Sequence, residues 1–378
     1  MKNRLKHFSK EPVDFALLVI VLIMLGLGII MVMSASAPTS LAKTGNSYKY
    51  VKTQALSAGI GIVAMLVISN IDYKIYKKFD RLIYIVVLVL LASVAVIGTE
   101  DGGAKRWIDL GFINFQPSEV AKIGLIIFYA SLLTKNKERI GEMWGGFFYP
   151  LMFLLPVIAI LVGIQNHLSA TLLIIMIVAI MMLMAGSKLR YFLTFGTGAA
   201  AVGGIGLFLV AKLTGKGAFR IARLVSFLDP FADIQGDGWQ VVQSLYAIGS
   251  GGLFGVGLGN STQKYAYIPE AHNDFIFSII AEELGFLGCI MVIVLFALFI
   301  WRGIIIAMKA PDMFGSLIAV GITSMVGLQA IINIAVVTSS MPNTGMPLPF
   351  FSYGGTSLLI LMASVGILLN ISKASKSK

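Results

Sequence analysis

Charged residues are scarce in this sequence. Only 12% of its 378 residues are Asp, Glu, Lys or Arg, whereas 57% are hydrophobic, and the mean hydropathy is +0.89. A soluble globular domain carries about a quarter of charged residues. The composition therefore excludes that class and indicates an integral membrane protein. Acidic residues are the scarcer sign, 18 against 29 Lys and Arg, which leaves a formal net charge of +11.

Three further absences narrow the class. Hydrophobicity is continuous rather than alternating, which excludes a transmembrane β-barrel and favours helices. Cys289 is the only cysteine, so the chain forms no intrachain disulfide. No small-residue cleavage site follows the first apolar run, which is long enough to span. We therefore expect a retained helix rather than a signal peptide.

The apolar runs predict the fold. Each is about 17 to 25 residues long, the length that an α-helix needs to cross a hydrocarbon core. We predict an all-α integral membrane protein, one polytopic domain over 1–378 with about ten transmembrane helices. The predicted spans are 15–34, 51–71, 82–98, 118–134, 146–164, 168–186, 191–211, 274–300, 314–338 and 354–371. A long extracytoplasmic loop, 212–273, separates helices 7 and 8, and cytoplasmic tails cover 1–14 and 372–378.

Basic residues predict the orientation. An even number of spans places both termini on one side, and eighteen of the 29 Lys and Arg residues fall on that side. It is cytoplasmic by the positive-inside rule. The other eleven are Lys43, Lys49, Lys52, Lys105, Arg106, Lys122, Lys212, Lys216, Arg220, Arg223 and Lys264. Pairing with lipid headgroups explains any one of them, but as a set around one outer cavity they indicate an anionic, phosphorylated ligand.

The strongest candidate site lies at 267–285, where a polar loop enters a long apolar helix. Glu270, His272 and Asp274 crowd this boundary. Ionisable groups there are costly unless they face a water-filled cavity or a cationic partner. We therefore take Asp274 as the candidate reacting group.

An outer loop at 100–110 concentrates charge, glycine and a tryptophan. Trp107 follows the two cations Lys105 and Arg106. Boundary tryptophans commonly anchor a helix at the membrane interface. In this loop Trp107 is either such an anchor or a platform that stacks on a sugar face.

Two spaced pairs of ionisable residues also point outward. Glu119 and Lys122 share one face at the start of the fourth span. They form either an ion pair that lets polar groups enter the membrane or a part of the site. Arg220 and Arg223 share a face of a short amphipathic stretch that we expect on the membrane surface.

Glycine and proline mark irregular backbone at two places. Residues 249–259 contain six glycines, but no buried strand precedes them, so we reject a phosphate-binding loop and expect flexible or tightly packed backbone. The last outer loop, 341–356, contains three prolines and three glycines. Such backbone at membrane depth is tolerated where it lines a cavity or is buried in protein.

Several of these segments together resemble the SEDS family (shape, elongation, division and sporulation). The segments are KRWI at 105–108, QPSE at 116–119, FLDP at 227–230, PEAHNDFIF at 269–277, EELG at 282–285 and PLPFFSYGG at 347–355. They cover nearly the whole chain in order. The PEAH segment, with 301–304 and 310–312, is closer to the division and sporulation branch, FtsW and SpoVE, than to RodA.

The resemblance implies a peptidoglycan glycosyltransferase. Such an enzyme polymerises lipid II on the outer membrane face: a sugar 4-hydroxyl attacks the anomeric carbon of the growing chain and expels undecaprenyl pyrophosphate with inversion. The family's essential aspartate falls on Asp274 and its loop tryptophan on Trp107. Its fourth-helix glutamate and lysine fall on Glu119 and Lys122, and its long-loop arginine on Arg223.

One motif departs from the family. Where the family has Gln-Pro-Asp-Leu-Gly-Thr, this chain reads QNHLSAT at 165–171, so no function passes to His167. The candidate site thus has Asp274 as catalytic base. The candidate substrate-binding residues are Trp107, Arg106, Lys105, Glu119, Lys122, Arg220, Arg223, Glu270, His272, Ser352 and Tyr353.

The resemblance also implies the partners. We expect lipid II and the nascent glycan chain, a single-pass class B penicillin-binding protein that crosslinks the product, other division proteins and no nucleic acid. No cofactor is evident. The sequence has no cluster with metal-ligand spacing, although a diphosphate can recruit a divalent cation.

Two other functions fit parts of the sequence. A transporter that flips lipid II would explain polar residues within spans and irregular backbone at membrane depth, but no convincing internal repeat is present. A non-catalytic division scaffold would explain partner surfaces but not a carboxylate beside many cations. Within the enzyme hypothesis, the sequence leaves a retaining mechanism open.

Overall fold

The computed structural model describes residues 13–101, 104–109, 111, 114–198, 227, 229–231, 238–265, 267, 268 and 270–376. Nine helices in these residues are long and apolar enough to cross a membrane. They are α1 (Phe15–Thr44), α2 (Lys49–Ile68), α4 (Asp80–Ile97), α5 (Pro117–Lys135), α6 (Tyr149–Gly163), α7 (Leu168–Ala185), α10 (Ile276–Lys309), α11 (Met313–Val337) and α12 (Gly355–Lys376). Nine of the ten predicted spans are therefore confirmed.

The remaining elements are short. They are α3 (Lys74–Lys78), a 3-10 turn (Lys137–Arg139), a π-helical turn (Trp144–Phe148), α8 (189–198), α9 (Trp239–Gly251) and the strands β1 (Thr99–Asp101), β2 (Ala104–Asp109) and β3 (Asn114–Phe115). The strands form an antiparallel sheet in the order β1-β2-β3. The seventh predicted span, 191–211, begins within α8 and otherwise lies outside the described residues, as does most of the predicted loop before residue 238.

α1 is longer than its predicted span. It continues through Pro38 to Thr44, ten residues past the predicted end at 34, and Gly45 ends it with φ of 70°. The prediction of a loop from residue 35 was wrong because Ser34, Ser36 and Ser40 look like loop residues but are buried in the helix. The longer helix carries Lys43 to the region of Asp274.

Contacts between helix ends group the loops into two sets. Paired side chains at one end are Asp14 with Arg302 and Tyr73 with Asp312. Contacts at the other end join Lys43 to Glu270 and Gln54 to Ser352. We call the first the inner end and the second the outer end. Asp274 and β1–β3 lie at the outer end, as the alternating direction of the spans predicts.

α5 is the central helix of the bundle. In its membrane-spanning window 78% of residues are buried, against 22 to 67% in the other eight helices. Pro117 occupies its first turn, where the missing N–H costs nothing. The first two turns of the most enclosed helix thus present Glu119 and Lys122 at the outer end.

α10 is broken at Gly285, whose φ of 68° and ψ of −166° interrupt the helix. The carbonyls of Glu282 and Glu283 accept hydrogen bonds from the amides of Val256 and Gly257 at 2.9 and 3.1 Å. The amides of Phe286 and Leu287 donate to the carbonyls of Gly252 and Leu253. Backbone groups freed by a break inside a membrane need such partners. The glycine-rich segment is therefore tightly packed backbone, one of the two possibilities left by the sequence.

Candidate active site

Asp274 lies two residues before the first residue of α10, and its side chain is half-buried. Its backbone carbonyl accepts a hydrogen bond from Asn333 Nδ2 at 2.7 Å. The same nitrogen donates to the carbonyl of Met346, also at 2.7 Å. Asn333 in α11 therefore holds Asp274 and the last outer loop at a fixed separation.

The last outer loop packs directly on the segment that carries Asp274. Ser352 Oγ donates to the carbonyl of Asn273 and accepts from the amide of Leu348, both at 2.7 Å. The amide of Tyr353 donates to the carbonyl of His272 at 2.9 Å. Gly345 has a φ of 63°, and a Cβ atom added there would stand 3.2 Å from Asp274 Oδ2. The loop thus forms one wall of the pocket around the carboxylate.

The environment of Asp274 changes its proton affinity. Burial raises the pKa of Asp274 to about 6, and the nearby negative charge of Glu270 contributes in the same direction. A carboxylate with this pKa is largely ionised at neutral pH and accepts a proton more readily than an exposed aspartate. That combination suits a general base.

Glu270 stands at the rim beside Asp274. Its backbone has φ of 52°, and its carboxylate accepts from Lys43 Nζ at 2.8 Å and Asn273 Nδ2 at 2.9 Å. Both members of the Lys43 pair are about half exposed. The pair therefore partly offsets the charge that acts on Asp274 while staying accessible.

His272 and Ser352 have structural surroundings. The His272 ring is fully buried 4.7 Å from Tyr50 and 5.7 Å from Tyr353, measured between ring centroids. Burial lowers the pKa of His272, so its ring is neutral at pH 7. The Ser352 hydroxyl forms hydrogen bonds with two backbone groups, the amide of Leu348 and the carbonyl of Asn273. Of these candidates, Tyr353 keeps the most exposed surface.

Glu119 and Lys122 form the ion pair that their spacing predicts. Lys122 Nζ lies 2.8 Å from Glu119 Oε1, and the Lys122 side chain is only 3% exposed. Burial and the nearby charges of Arg106 and Lys122 lower the pKa of His167 to about 3. Lys122, Arg106 and His167 are therefore close together. Nδ1 of His167 is buried and has no hydrogen-bond partner among the described residues.

The small sheet positions the other predicted cations. From β2, Arg106 donates through a terminal nitrogen to the carbonyl of Asn166 at 2.9 Å and through Nε to that of Gln165 at 3.4 Å. Trp107, the next residue of β2, is half-buried and faces Thr99 of β1, and Lys105 is exposed. Trp107 thus sits on a sheet at the outer end.

One hydrogen bond connects the segment that holds these cations to the Asp274 wall, and a second joins the same loop to α9. Ser169 Oγ, two residues after His167, donates to the carbonyl of Thr344. Asn343 Nδ2 donates to Gln240 Oε1 in α9 at 3.0 Å. Thr344 immediately precedes Gly345, so the loop that contacts the carboxylate also contacts the α7 segment held by Arg106. The other two cations among the candidate substrate-binding residues, Arg220 and Arg223, lie outside the described residues.

Sequence reasoning missed several residues of this arrangement. Asn333 is an amide deep in an apolar run, four residues after Gln329, and an amide at such a depth predicts a specific partner in a membrane helix. His167 was set aside because it departs from the family motif. The contact of Gly345 with Asp274 was not predictable, nor was the pairing of Lys43, one of the predicted outer cations, with Glu270, because these contacts span 71 and 227 residues of chain. Among the described residues, no three His, Cys, Asp or Glu side chains are grouped closely enough to hold a metal ion.

Comparison with known proteins identifies the family. The family model described as "Cell cycle protein", for FtsW, RodA and SpoVE, matches residues 15–377. The chain belongs to this family. "Stage V sporulation protein E" of Bacillus subtilis is 41% identical over 336 residues, covering 88% of this chain and 90% of that protein. "Probable peptidoglycan glycosyltransferase FtsW" of Geobacter sp. is also 41% identical, covering 87% of this chain and 88% of its own.

Solved structures of the FtsW, RodA and SpoVE family share the fold. A chain from "Structural coordination of polymerization and crosslinking by a peptidoglycan synthase complex" superposes with a TM-score of 0.79 at 28% identity, over 97% of this chain and 99% of that one. Thermus thermophilus RodA superposes with a TM-score of 0.69 at 28% identity, over 95% and 96%. The fold is the SEDS fold.

Proposed function

We propose that this family member is a peptidoglycan glycosyltransferase that polymerises lipid II during division or sporulation. The observation that carries the proposal is the half-buried carboxylate of Asp274, enclosed by the last outer loop and linked through that loop to Lys122 and Arg106. Related proteins named as peptidoglycan glycosyltransferases support it. A scaffold would not need an aspartate whose pKa is held near neutrality at the mouth of a bundle.

The proposed orientation puts the reaction outside the cytoplasm. The inner end carries most of the basic residues, so the positive-inside rule makes it cytoplasmic. Both termini are then cytoplasmic, and Asp274 faces the outer leaflet. Lipid II would meet the site there with its polyprenyl tail in the membrane.

Asp274 acts as the base in the proposed reaction. Its carboxylate takes the proton from the 4-hydroxyl of the incoming sugar as that oxygen bonds to the anomeric carbon of the growing chain. The bond from that carbon to the diphosphate breaks, and undecaprenyl pyrophosphate leaves with the electron pair. Attack opposite the leaving group inverts the configuration. Asp274 then returns its proton to water.

Cations stabilise the charge that develops on the leaving diphosphate. Lys122 and Arg106 are the described candidates, and Arg220 and Arg223 are predicted to join them. Trp107 offers an aromatic face for a sugar ring, and Glu119 fixes Lys122. His272 and Ser352 hold the walls of the site rather than the substrate.

A crosslinking partner completes the proposal. A linear glycan needs peptide crosslinks, so we propose that the chain works with a single-pass class B penicillin-binding protein. The similar chain from a peptidoglycan synthase complex supports this pairing. Co-purification in mild detergent tests it, and recovery of the chain without any transpeptidase would contradict it.

The decisive experiment measures glycan polymer from purified lipid II with and without the transpeptidase. We expect polymer from wild type and a loss of at least about 100-fold in Asp274→Asn, which keeps the shape and removes the base. Asp72→Asn is the matched control, because this exposed carboxylate lies at the inner end. Polymer from Asp274→Asn at the wild-type rate would exclude the base. Movement of lipid II across liposomes by both proteins, with polymer from neither, would favour the flippase.

A further inference from the structure

A groove opens at the inner end of the bundle, across the membrane from Asp274. It lies between α4, α5 and α6 and has a volume of about 820 Å³. Residues that line it include Arg81, Tyr84, Phe128, Arg139, Trp144 and Met152. None of the candidate active-site residues contributes to it, so it is a separate feature of the molecule.

The mouth of the groove is positively charged. Arg81, Lys135 and Arg139 line it together with one carboxylate, Asp80, and the carboxylate of Glu142 lies beside Gly145 of the lining. Lys135 pairs with Asp80, which also accepts from Ser131 Oγ at 2.6 Å. In the part of the chain that the structure describes, no hydrogen bond or ion pair engages the guanidinium of Arg81 or Arg139. Two exposed cations therefore remain for an anion at the mouth.

The wall below the cations is apolar and firmly built. The rings of Tyr84 and Phe128 stack at 4.4 Å, and those of Phe128 and Phe153 meet at 5.3 Å between centroids. Tyr84 Oη donates to the carbonyl of Phe153 at 2.8 Å, which ties α4 to α6. Met152 is 64% exposed and Ile85 is 55% exposed along the same groove. The wall offers a hydrocarbon chain a preformed track.

Trp144 indicates where the groove lies along the membrane normal. It is 70% exposed and begins a π-helical turn, Trp144–Phe148, that leads into α6. Asn136 Nδ2 donates to the carbonyl of Gly145 and holds that turn against the end of α5. Exposed tryptophan is typical of the headgroup level of a membrane, and isolated π turns recur at functional sites. The cations thus lie where phosphate groups of the leaflet lie.

We propose that this groove binds an anionic phospholipid of the inner leaflet. Its phosphate contacts Arg81 and Arg139, and one acyl chain lies along Tyr84, Phe128 and Met152. Charge decides the occupant: basic pockets between transmembrane helices on the cytoplasmic side suit anionic headgroups. A zwitterionic lipid would bring its own cation next to two guanidinium groups. The inference uses the proposed orientation but does not depend on glycosyl transfer.

Native mass spectrometry of the full chain tests the proposal. The protein is released from nanodiscs that contain equal amounts of phosphatidylglycerol and phosphatidylcholine, and retained lipids are counted. We expect wild type to retain one phosphatidylglycerol preferentially. Arg81→Gln/Arg139→Gln should bind it about 30-fold more weakly, the effect of removing two juxtamembrane cations. The matched control Lys188→Gln/Lys309→Gln removes two exposed cations at the same end, outside the groove.

A second variant tests the acyl track. Met152→Trp fills an exposed part of the wall and leaves both arginines in place, so we expect retention to fall several-fold while the thermal midpoint stays at the wild-type value. Equal retention of the two lipids by wild type, or unchanged retention in the double arginine variant, would overturn the proposal. A parallel arm offers undecaprenyl phosphate. Stronger retention of that lipid than of phosphatidylglycerol would overturn the phospholipid assignment.

Discussion

Gly345 faces the carboxylate of Asp274 so closely that a Cβ atom at position 345 would stand 3.2 Å from Oδ2. We expect Gly345→Ala to push the carboxylate aside and lower the polymerisation rate about 10- to 100-fold, because small misplacements of a catalytic group are costly. Gly45→Ala is the matched control: Gly45 has a similar φ of 70°, but nothing lies within 4 Å of its added Cβ. The two variants share the backbone strain and differ in the contact. Equal rates would contradict the proposed role of the loop.

The rim pair of Lys43 and Glu270 should set the pH dependence. Asp274 must be ionised to act as a base, so the rate should fall as pH drops through about 6, the pKa that burial and Glu270 produce. Glu270→Gln removes a negative neighbour, which lowers this pKa and moves the acid limb to lower pH. Lys43→Gln leaves the charge of Glu270 unopposed, which raises the pKa and moves the limb to higher pH.

Initial polymerisation rates at low lipid II, measured from pH 4.5 to 8, check these shifts. Comparison between variants cancels any titration of the substrate. Shifts in the same direction, or no shift in either variant, would show that a group other than Asp274 controls the limb.

Asn333 should link activity to stability. Asn333→Leu leaves the carbonyls of Asp274 and Met346 without their donor, and we expect a loss of about 1–3 kcal/mol in the free energy of unfolding together with a lower rate. Thr323→Val on the same helix is the control, because the buried Thr323 hydroxyl has no hydrogen-bond partner among the described residues. Thermal midpoints in one detergent compare the two. A wild-type rate in Asn333→Leu would show that Asp274 does not need this anchor.

The tight packing at the break in α10 can be tested with two glycines. A Cβ at Gly255 would stand 2.1 Å from the carbonyl oxygen of Glu283, whereas one at Gly259 meets nothing within 4 Å. Their φ values, 78° and 82°, are nearly equal. We therefore expect Gly255→Ala to lower the free energy of unfolding by about 1–3 kcal/mol more than Gly259→Ala does. Equal thermal midpoints would show that the segment rearranges to accommodate the added methyl group, which would contradict the tight packing.

A buried ion pair includes Glu283, two residues before the break in α10 at Gly285. Lys264 Nζ is 3.0 Å from Glu283 Oε1, and both side chains are at most 4% exposed. We expect Lys264→Met to lower the free energy of unfolding by roughly 3–5 kcal/mol, because it leaves a buried carboxylate without its cation. Lys264→Met/Glu283→Gln should recover much of that loss. Lys43→Met, at the exposed pair, should cost about 1 kcal/mol or less. A larger loss in the double variant than in Lys264→Met would contradict this.

Hydropathy placed the spans well because the membrane imposes both length and apolarity on each helix. It failed in α1, where serines belong to the helix because they are buried against other parts of the protein. Ser34 in α1 donates to both oxygens of Glu283 at 2.6 and 2.7 Å. Because that partner is 249 residues away, it is not visible in the local sequence, and the pattern of serines predicts a loop.

The candidate site shows the same limit. The position of Asp274, Glu119 and Lys122 at the outer end was predictable because ionisable residues near a membrane need a polar partner or a water-filled cavity. The contacts of His272 and Ser352 were not, because burial against Tyr50 or a bond to a distant carbonyl depends on tertiary packing. Lys264 was counted among outer cations, and the structure shows it buried in an ion pair.

The break at Gly285 fixes the direction of the outer end of α10. Glu282 and Glu283 before the break and Phe286 and Leu287 after it all form backbone hydrogen bonds with 252–257. One residue inserted after Gly288 would therefore turn the inner half by about 100° and leave the direction of Asp274 unchanged. We therefore expect sequence changes in α10 beyond Gly288 to leave the carboxylate of Asp274 in place.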